Sequence, residues 1–383
     1  MILLLALILA IQCAYALFVW RLGSALDGSL RLPPRGNPAQ GPGEEDLRVT
    51  VVVPARNEAA ALPGTLRALV VQSLPKERWE VLVVDDGSTD ATAEVAQAHL
   101  AELATWGMSG RLLFTASGAR GKKAAILKGR QAARHPWIAV LDADSRPDPH
   151  YLERMAAQAG VEDGLLAGPV FFEGGEGLWA RLVRLEYMGL LGAGLASFGV
   201  GRPLFASGAN LWWRAVAFDE AGGYTGLEHI ASADDTLLIQ RMRLRTRWRL
   251  AAVLDPRASV GSRAPHTLAA FMRQRVRWTS TELHMPDPLA LVASLGLYLV
   301  FLACVGAPLL AMAGLWPAWA GLLLPLLKLL ADARLVARAS AAFQGTALLP
   351  LFPVVWLGQL AYGLCVPWVS LVRPVKWRGE ARP

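Results

Sequence analysis

The chain has 383 residues, of which 54% are hydrophobic and only 18% charged, with a formal net charge of +7. That balance excludes an ordinary soluble protein and points to membrane attachment, while the length allows one sizeable domain and a smaller module. Many basic residues lie beside apolar segments, where anionic headgroups attract them; they do not form the interleaved runs that suit nucleic acid, so no nucleic-acid partner is expected.

Ile2 to Trp20 is apolar apart from Gln12 and long enough to span about 30 Å of hydrocarbon. Its first positive charge, Arg21, follows the apolar run, so residues 1–20 read as an uncleaved anchor with the following chain in the cytosol. Residues 21–47, with Pro33-Pro34 and Gln40-Gly-Pro-Gly, read as a tether. From residue 48 short β-branched runs begin: Val49–Val53, Glu80–Val84, Arg111–Thr115, Trp137–Leu141 and Leu165–Phe172. Helical patterns at Ala60–Gln72 and Asp90–Leu103 lie between them. Strands alternating with helices predict an α/β domain with a mostly parallel sheet, which binds ligands at the carboxyl ends of its strands. Leu178–Phe198, with Arg181 and Arg184, reads either as a core helix or as one lying at headgroup level.

Residues 283–383 turn apolar again and predict two to three membrane helices. Leu289–Leu315 is a strong span, Trp319–Leu330 is shorter and carries Lys328, and Thr346–Val372 contains three prolines. Four full spans would leave the basic tail, Arg373 to Arg382, outside, against the charge rule. Thr346–Val372 is therefore expected to form a proline-broken hairpin, or one apolar segment to lie in the interface. Cys13, Cys304 and Cys365 all lie in apolar stretches without metal-ligand spacing, which fits buried hydrophobes.

The acidic motifs fall at strand ends. Pro54, Asn57 and Glu58 follow the first run, and Asp85-Asp86-Gly-Ser88 follows the second. Each fits a helix-capping turn, yet capping needs one oxygen rather than two adjacent carboxylates. Gly121-Lys122-Lys123 opens a helix with lysine against its dipole, which suits a nucleotide-facing role. Asp142-Ala-Asp144 follows Ile-Ala-Val-Leu; in an extended segment both carboxylates point one way and suit one hard cation, Mg²⁺ or Mn²⁺. In Ser207-Gly208-Ala209-Asn210 the glycine admits close backbone approach. Asp234-Asp235 opens a helix, and mutual repulsion pushes one acid toward a base's pKa. Gln274-Arg-Val-Arg277-Trp278 is basic and aromatic; Arg277 suits a diphosphate and Trp278 a sugar or lipid face, while the same run would also suit a helix lying on lipid.

Taken in order, these motifs resemble the membrane-bound, inverting family-2 glycosyltransferases with the "D, DxD, D, QxxRW" signature, the type of the cellulose and hyaluronan synthases and ceramide glucosyltransferase. The resemblance covers about residues 48–282. It implies a glycosyltransferase-A (Rossmann-like) domain with an N-terminal anchor and C-terminal transmembrane helices, in the cell (inner) membrane with a cytosolic catalytic domain. It implies Asp235 as general base, Asp144 with Asp142 as ligands of a divalent metal, and Trp278 with Asp234 toward the acceptor. Pro54, Asn57, Glu58, Asp85, Asp86, Lys122, Asp142, Gln274 and Arg277 form the implied nucleotide-sugar set, with Asp86 on the base. The chain departs in reading Asp234-Asp235 for the commoner Glu-Asp, and Leu127-Lys128 where many relatives carry asparagine. The implied reaction is inverting transfer from a nucleotide-sugar, expected to be a UDP-sugar, to a lipid or glycan acceptor. A processive polysaccharide synthase and an inactive scaffold of the same fold are the alternatives; the small membrane complement speaks against the first and the intact carboxylates against the second.

Overall fold

The structure, a computed structural model, describes residues 2–31, 47–116, 118, 121–228, 230, 232–281, 284–372, 376–377 and 380–381. By contacts the chain divides into two compact units. One comprises Arg31–Glu173 and Pro203–Arg263; the other comprises Met1–Leu30, Gly174–Arg202 and Ala264–Pro383.

The first unit is α/β. Its strands are β1 (Val49–Ala55), β2 (Trp79–Asp85), β3 (Ser109–Phe114), β4 (Trp137–Val140), β5 (Arg146–Pro147), β6 (Asp163–Ala167), β7 (Val170–Glu173), β8 (Leu211–Arg214), β9 (Arg249–Ala252) and β10 (Val260–Arg263). Its helices are α1 (Leu62–Val70), α2 (Thr92–Thr105), α3 (Lys122–Ala132), α4 (Tyr151–Ala156), α5 (Ala215–Glu220) and α6 (Asp234–Arg245). Seven strands form one sheet in the order β3-β2-β1-β4-β8-β6-β9, and β5-β10-β7 form a second. The β3-β2-β1-β4 half is parallel, whereas β8 runs antiparallel between β4 and β6.

Val51, Val52 and Val53 of β1 are fully buried, as are Val81 to Val84 of β2. Near-continuous apolar runs of this kind mark strands covered on both faces, each such side chain contributing about 1.5–3 kcal/mol on burial. Pro54 is tolerated in β1 because the pairing with β4 ends at Val52–Val140, so its missing N–H removes no ladder bond there. Helix α3 lies close on β1 through Gly129, where an added Cβ would stand 2.4 Å from a Val52 methyl. That contact fixes the height of the α3 N-terminus above the strand ends.

The predicted strand Leu165–Phe172 is corrected: it is two strands, β6 and β7, which belong to different sheets. Gly168 and Pro169 divide it, and the Asn210 side chain bonds the Pro169 carbonyl at 2.9 Å, holding the chain where it changes sheets. The Leu-Trp-Trp-Arg run at 211–214 is a strand, β8.

The second unit is helical. It contains α7 (Ile2–Arg31), α8 (Leu178–Gly199), α9 (Leu268–Thr279), α10 (Pro288–Met312), α11 (Ala318–Ala342) and α12 (Phe352–Val372). The anchor helix α7 continues past Trp20 to Arg31, so the start of the expected tether is helical, while residues 32–46 lie outside the described residues. Among the described residues three segments are long and apolar enough to cross a membrane: Ile2–Asp27, Pro288–Met312 and Thr346–Val372. Thr346–Val372 is not a hairpin. A 3₁₀ turn, Thr346–Leu351, leads into the continuous helix α12; Pro353 sits in its first turn, where no N–H bond is lost, and Pro367 lies inside the helix without ending it. The basic tail residues Arg373, Arg378 and Arg382 lie outside the described residues.

Helix α8 packs on α11, with Gly192 against Ala339 and Gly189 against Val336, and its second half is buried from Leu191 to Phe198 except at Ala193. The core-helix reading holds for that half. Within the helical unit Lys328 of α11 is fully buried. It is paired with Asp332 and within 3.2 Å of Gln359 Oε1. Asp332 also accepts from Tyr15 Oη at 2.5 Å and Trp356 Nε1 at 3.0 Å. One ion pair thus ties together α7, α11 and α12.

Candidate active site

In the α/β unit the acidic motifs converge where the parallel strands end. The Asp85-Asp86 pair closes β2, and the two carboxylates face different tasks. Asp85 accepts from the Ser88 N–H at 3.2 Å and from the Ser88 hydroxyl, the capping-turn arrangement. Asp86, 1% exposed, accepts from the Gly121 N–H at 2.7 Å and the Thr115 hydroxyl at 3.2 Å. The guanidinium of Arg56 lies 3.7 Å from it. In this arrangement Asp86 holds the entry to α3.

Asn57 takes a left-handed conformation, φ 54°, and accepts from the Thr89 N–H at 2.8 Å. The Glu58 N–H donates to the Thr92 hydroxyl at 2.8 Å. These residues lace the loop after β1 to the loop after β2. The structure therefore gives Asp85, Asn57 and the Glu58 backbone scaffolding contacts, which their pattern in the sequence could not separate from ligand contacts.

The Asp142-Ala-Asp144 triplet departs from its expected extended form. β4 ends at Val140, and the Ser145 N–H bonds the Asp142 carbonyl at 3.0 Å, so the triplet is a turn. Thr65 braces that turn, its hydroxyl bonding the carbonyls of Ala143 and Ser145 at 2.7 Å each. Burial and the neighbouring Asp142 charge raise the Asp144 pKa, and among the described residues no ion pair to Asp144 is formed.

Asp234 and Asp235 open α6 directly after Ala233, which sits at φ 57°. Left-handed backbone at a non-glycine costs roughly 1–2 kcal/mol and sets the direction in which the two acids leave the loop. Lys123 supports the same loop from below, donating to the carbonyls of Ile230 at 2.5 Å and Ser232 at 3.1 Å. Asp235 accepts from the Gly208 N–H at 2.8 Å and the Thr236 N–H at 2.6 Å. Burial, then the charge of Asp234, raises its pKa. Burial acts in the same upward direction on Asp234, but Lys122 and Lys123 outweigh it and leave Asp234 below the ordinary carboxylate value. The two acids are thus pushed in opposite directions, Asp234 toward the charged form and Asp235 toward tighter proton binding.

Lys122, the first residue of α3, reaches Asp142 at 2.8 Å and Asp234 at 3.2 Å. A Cβ built on Gly208 would stand 3.1–3.2 Å from Asp235, Asp234 and Lys122 together. The sequence flagged this glycine for close approach to a ligand; what approaches it here is the acid pair itself.

Among the described residues no group of three or more metal-ligating side chains gathers. A divalent ion needs only one or two carboxylates when substrate phosphates and water complete its shell. Asp142 and Asp144 fit that role, Asp144 being a partly buried carboxylate without an ion-pair partner among the described residues.

Gln274, Arg277 and Trp278 lie on α9, in the helical unit. There Arg275, not a member of the implied set, is the buried residue of the run: it is paired with Glu186 of α8 and stacked 4.4 Å from the rings of both Phe271 and Trp278. Tyr362 of α12 donates to the same Glu186 at 2.6 Å. One face of Trp278 is therefore covered by Arg275, and Tyr187 packs at 6.3 Å from its ring.

A family model for "Glycosyl transferase family 2" matches residues 50–227, the span that holds β1, both strand-end motifs, Lys122 and Gly208. Residues 50–227 are a family 2 glycosyl transferase domain. Among curated relatives, glycosyltransferase AglE of Haloferax volcanii is 33% identical over 125 residues, 32% of this chain and 40% of the other. The undecaprenyl-phosphate 4-deoxy-4-formamido-L-arabinose transferase of Pseudomonas aeruginosa is 31% identical over 156 residues, 39% of this chain and 44% of the other. The matched stretch spans less than half the length of these two relatives. The solved mannosyltransferase PcManGT of Pyrobaculum calidifontis, in complex with GDP-Man and Mn²⁺, superposes with a TM-score of 0.55 at 19% identity, over 98% of this chain and all of that one. That likeness shows a shared fold.

Proposed function

We propose that this glycosyl transferase moves a sugar from a nucleoside-diphosphate sugar to a hydroxyl or phosphate oxygen of a lipid or lipid-linked acceptor, with inversion at the anomeric carbon. The observation that carries the reading is the split acid pair. Asp235 is partly buried and has a raised affinity for protons beside Asp234, whose charge Lys122 favours. A base of this kind takes the proton of a hydroxyl acceptor as its oxygen attacks the anomeric carbon in line with the departing diphosphate. Two backbone donors, Gly208 and Thr236, hold its carboxylate in one orientation, so little reorganisation remains to be made at the moment of transfer.

Asp142 and Asp144 would hold Mg²⁺ or Mn²⁺, which when bound offsets charge on the leaving diphosphate. The resemblance gives Gln274 and Arg277 to the donor, and Trp278 with Asp234 to the acceptor. Three apolar segments long enough for a bilayer support a membrane enzyme, with the α/β unit proposed to face the cytosol at the inner membrane, where nucleotide-sugars are available. A UDP-sugar is the proposed donor. The solved neighbour's GDP-Man makes a GDP-sugar the second donor to test, and the lipid-phosphate acceptor named for the Pseudomonas relative supports a lipid acceptor.

The test uses the full chain in nanodiscs of bacterial lipid with radiolabelled UDP- and GDP-sugars. Label should enter a chloroform-soluble product. Label confined to a long water-soluble polymer would establish the processive alternative, and absence of transfer or hydrolysis with every donor would favour the inactive scaffold.

A further inference from the structure

Lys122 stands in an unusual place for a helix-opening residue. The first turn of a helix favours anions, and a lysine there opposes the dipole. Its ammonium is folded back onto two carboxylates from separate loops, Asp142 Oδ1 at 2.8 Å and Asp234 Oδ2 at 3.2 Å. Gly208 leaves room for the arrangement, since a side chain would press on Lys122, Asp234 and Asp235 at once. Asp142 is 37% exposed on its side chain, so a cation from solvent reaches the same oxygen that Lys122 occupies.

We propose that Lys122 is a built-in counter-ion that competes with the divalent metal for the carboxylate of Asp142 while staying paired with Asp234. The inference rests on the nucleotide-dependent reading above. With the site empty of nucleotide, Lys122 neutralises the two loops and keeps metal affinity low. A diphosphate gives the ammonium another partner on the same side of the α3 N-terminus, where backbone N–H groups also favour anions. Lys122 then leaves Asp142, and the metal takes its place. Metal and nucleoside diphosphate must therefore bind cooperatively, each raising the affinity of the other by the same factor. Lys122 is a positioning residue in this scheme, and a site held by one lysine without nucleotide avoids trapping free metal.

The experiment titrates Mn²⁺ into the full chain in detergent and follows the spin-resonance signal of free Mn²⁺, with and without UDP or GDP. In the wild-type chain the nucleotide should tighten Mn²⁺ binding by about tenfold or more, within the usual range of coupling between sites. Lys122→Met should bind Mn²⁺ about tenfold more tightly without nucleotide and lose most of the coupling, whereas Lys122→Arg should keep it. Lys122→Gln removes the same charge with a polar side chain and should shift nucleotide-free binding the same way; it serves if Lys122→Met fails to fold. Unchanged or weaker nucleotide-free binding in the folded variant that lacks the lysine charge, with wild-type nucleotide binding intact, overturns the exchange alone. Failure of the wild-type chain to bind either nucleotide overturns the glycosyl-transfer reading itself.

Discussion

Replacing Asp235 by asparagine removes the proton-accepting oxygen while keeping the size of the side chain. If Asp235 is the base, the transfer rate should fall by a factor of about 10²–10⁴, equivalent to about 3–5 kcal/mol of barrier at about 1.4 kcal/mol per decade. The structure also sets a stability cost. Asp235 accepts two backbone N–H groups, from Gly208 at 2.8 Å and Thr236 at 2.6 Å. An asparagine presents one oxygen and one NH₂, so one of those N–H groups must face another donor. An unpaired buried donor costs about 1–3 kcal/mol, and relief of the repulsion with Asp234 offsets part of that. The folded protein should persist, and metal-dependent UDP binding, which does not involve the base, should stay within a few-fold of wild type. Initial rates with a radiolabelled sugar donor, beside calorimetric titration of UDP with Mn²⁺, measure the two effects separately. Near-normal turnover would remove Asp235 from the base role, and lost UDP binding would move it to the donor.

Three further outcomes follow from the same geometry. Because the Asp234 charge raises the Asp235 pKa, Asp234→Asn should lower it; transfer is lost as pH falls through that pKa, so the acid limb of the rate profile should move to lower pH, and a limb that stays or rises refutes the coupling. Lys328→Met leaves Asp332 buried without its cation and should cost about 3–5 kcal/mol, most of which the double change with Asp332→Leu should restore; thermal unfolding in detergent decides, and additive losses would show that the pair does not act as a unit. Ala233→Gly relieves the left-handed strain at φ 57° and should raise stability by up to about 1 kcal/mol with little loss of transfer; a fall in the unfolding midpoint would mean that the alanine methyl contributes more than the strain costs.

The motif order was enough to expect the family 2 glycosyl transferase domain matched at residues 50–227, because carboxylates at strand ends are local features of the sequence. Val49–Val53 and Glu80–Val84 announce buried strands by β-branched content, and Asp86, Asp142 and Asp235 follow such strands or open a helix wherever the sheet sits. What sequence left open depends on atoms far apart along the chain. Asp142 and Asp234 share Lys122 although 92 positions separate them, and only the sheet order and the Gly129–Val52 contact bring α3 between them. The opposite pull on the Asp234 and Asp235 carboxyls follows from burial, the Asp234 charge and Lys122, and the identity of two adjacent acids does not reveal it. Likewise the pattern Gln-Arg-Val-Arg-Trp does not say which arginine is buried; Arg275 is, because Glu186 of α8 lies opposite it. Composition and period determine which segments are strands, helices and membrane spans, since those preferences act over a few residues. Which charge neutralises which is decided by tertiary packing, because Coulomb attraction depends on distance in space and on the burial that packing creates.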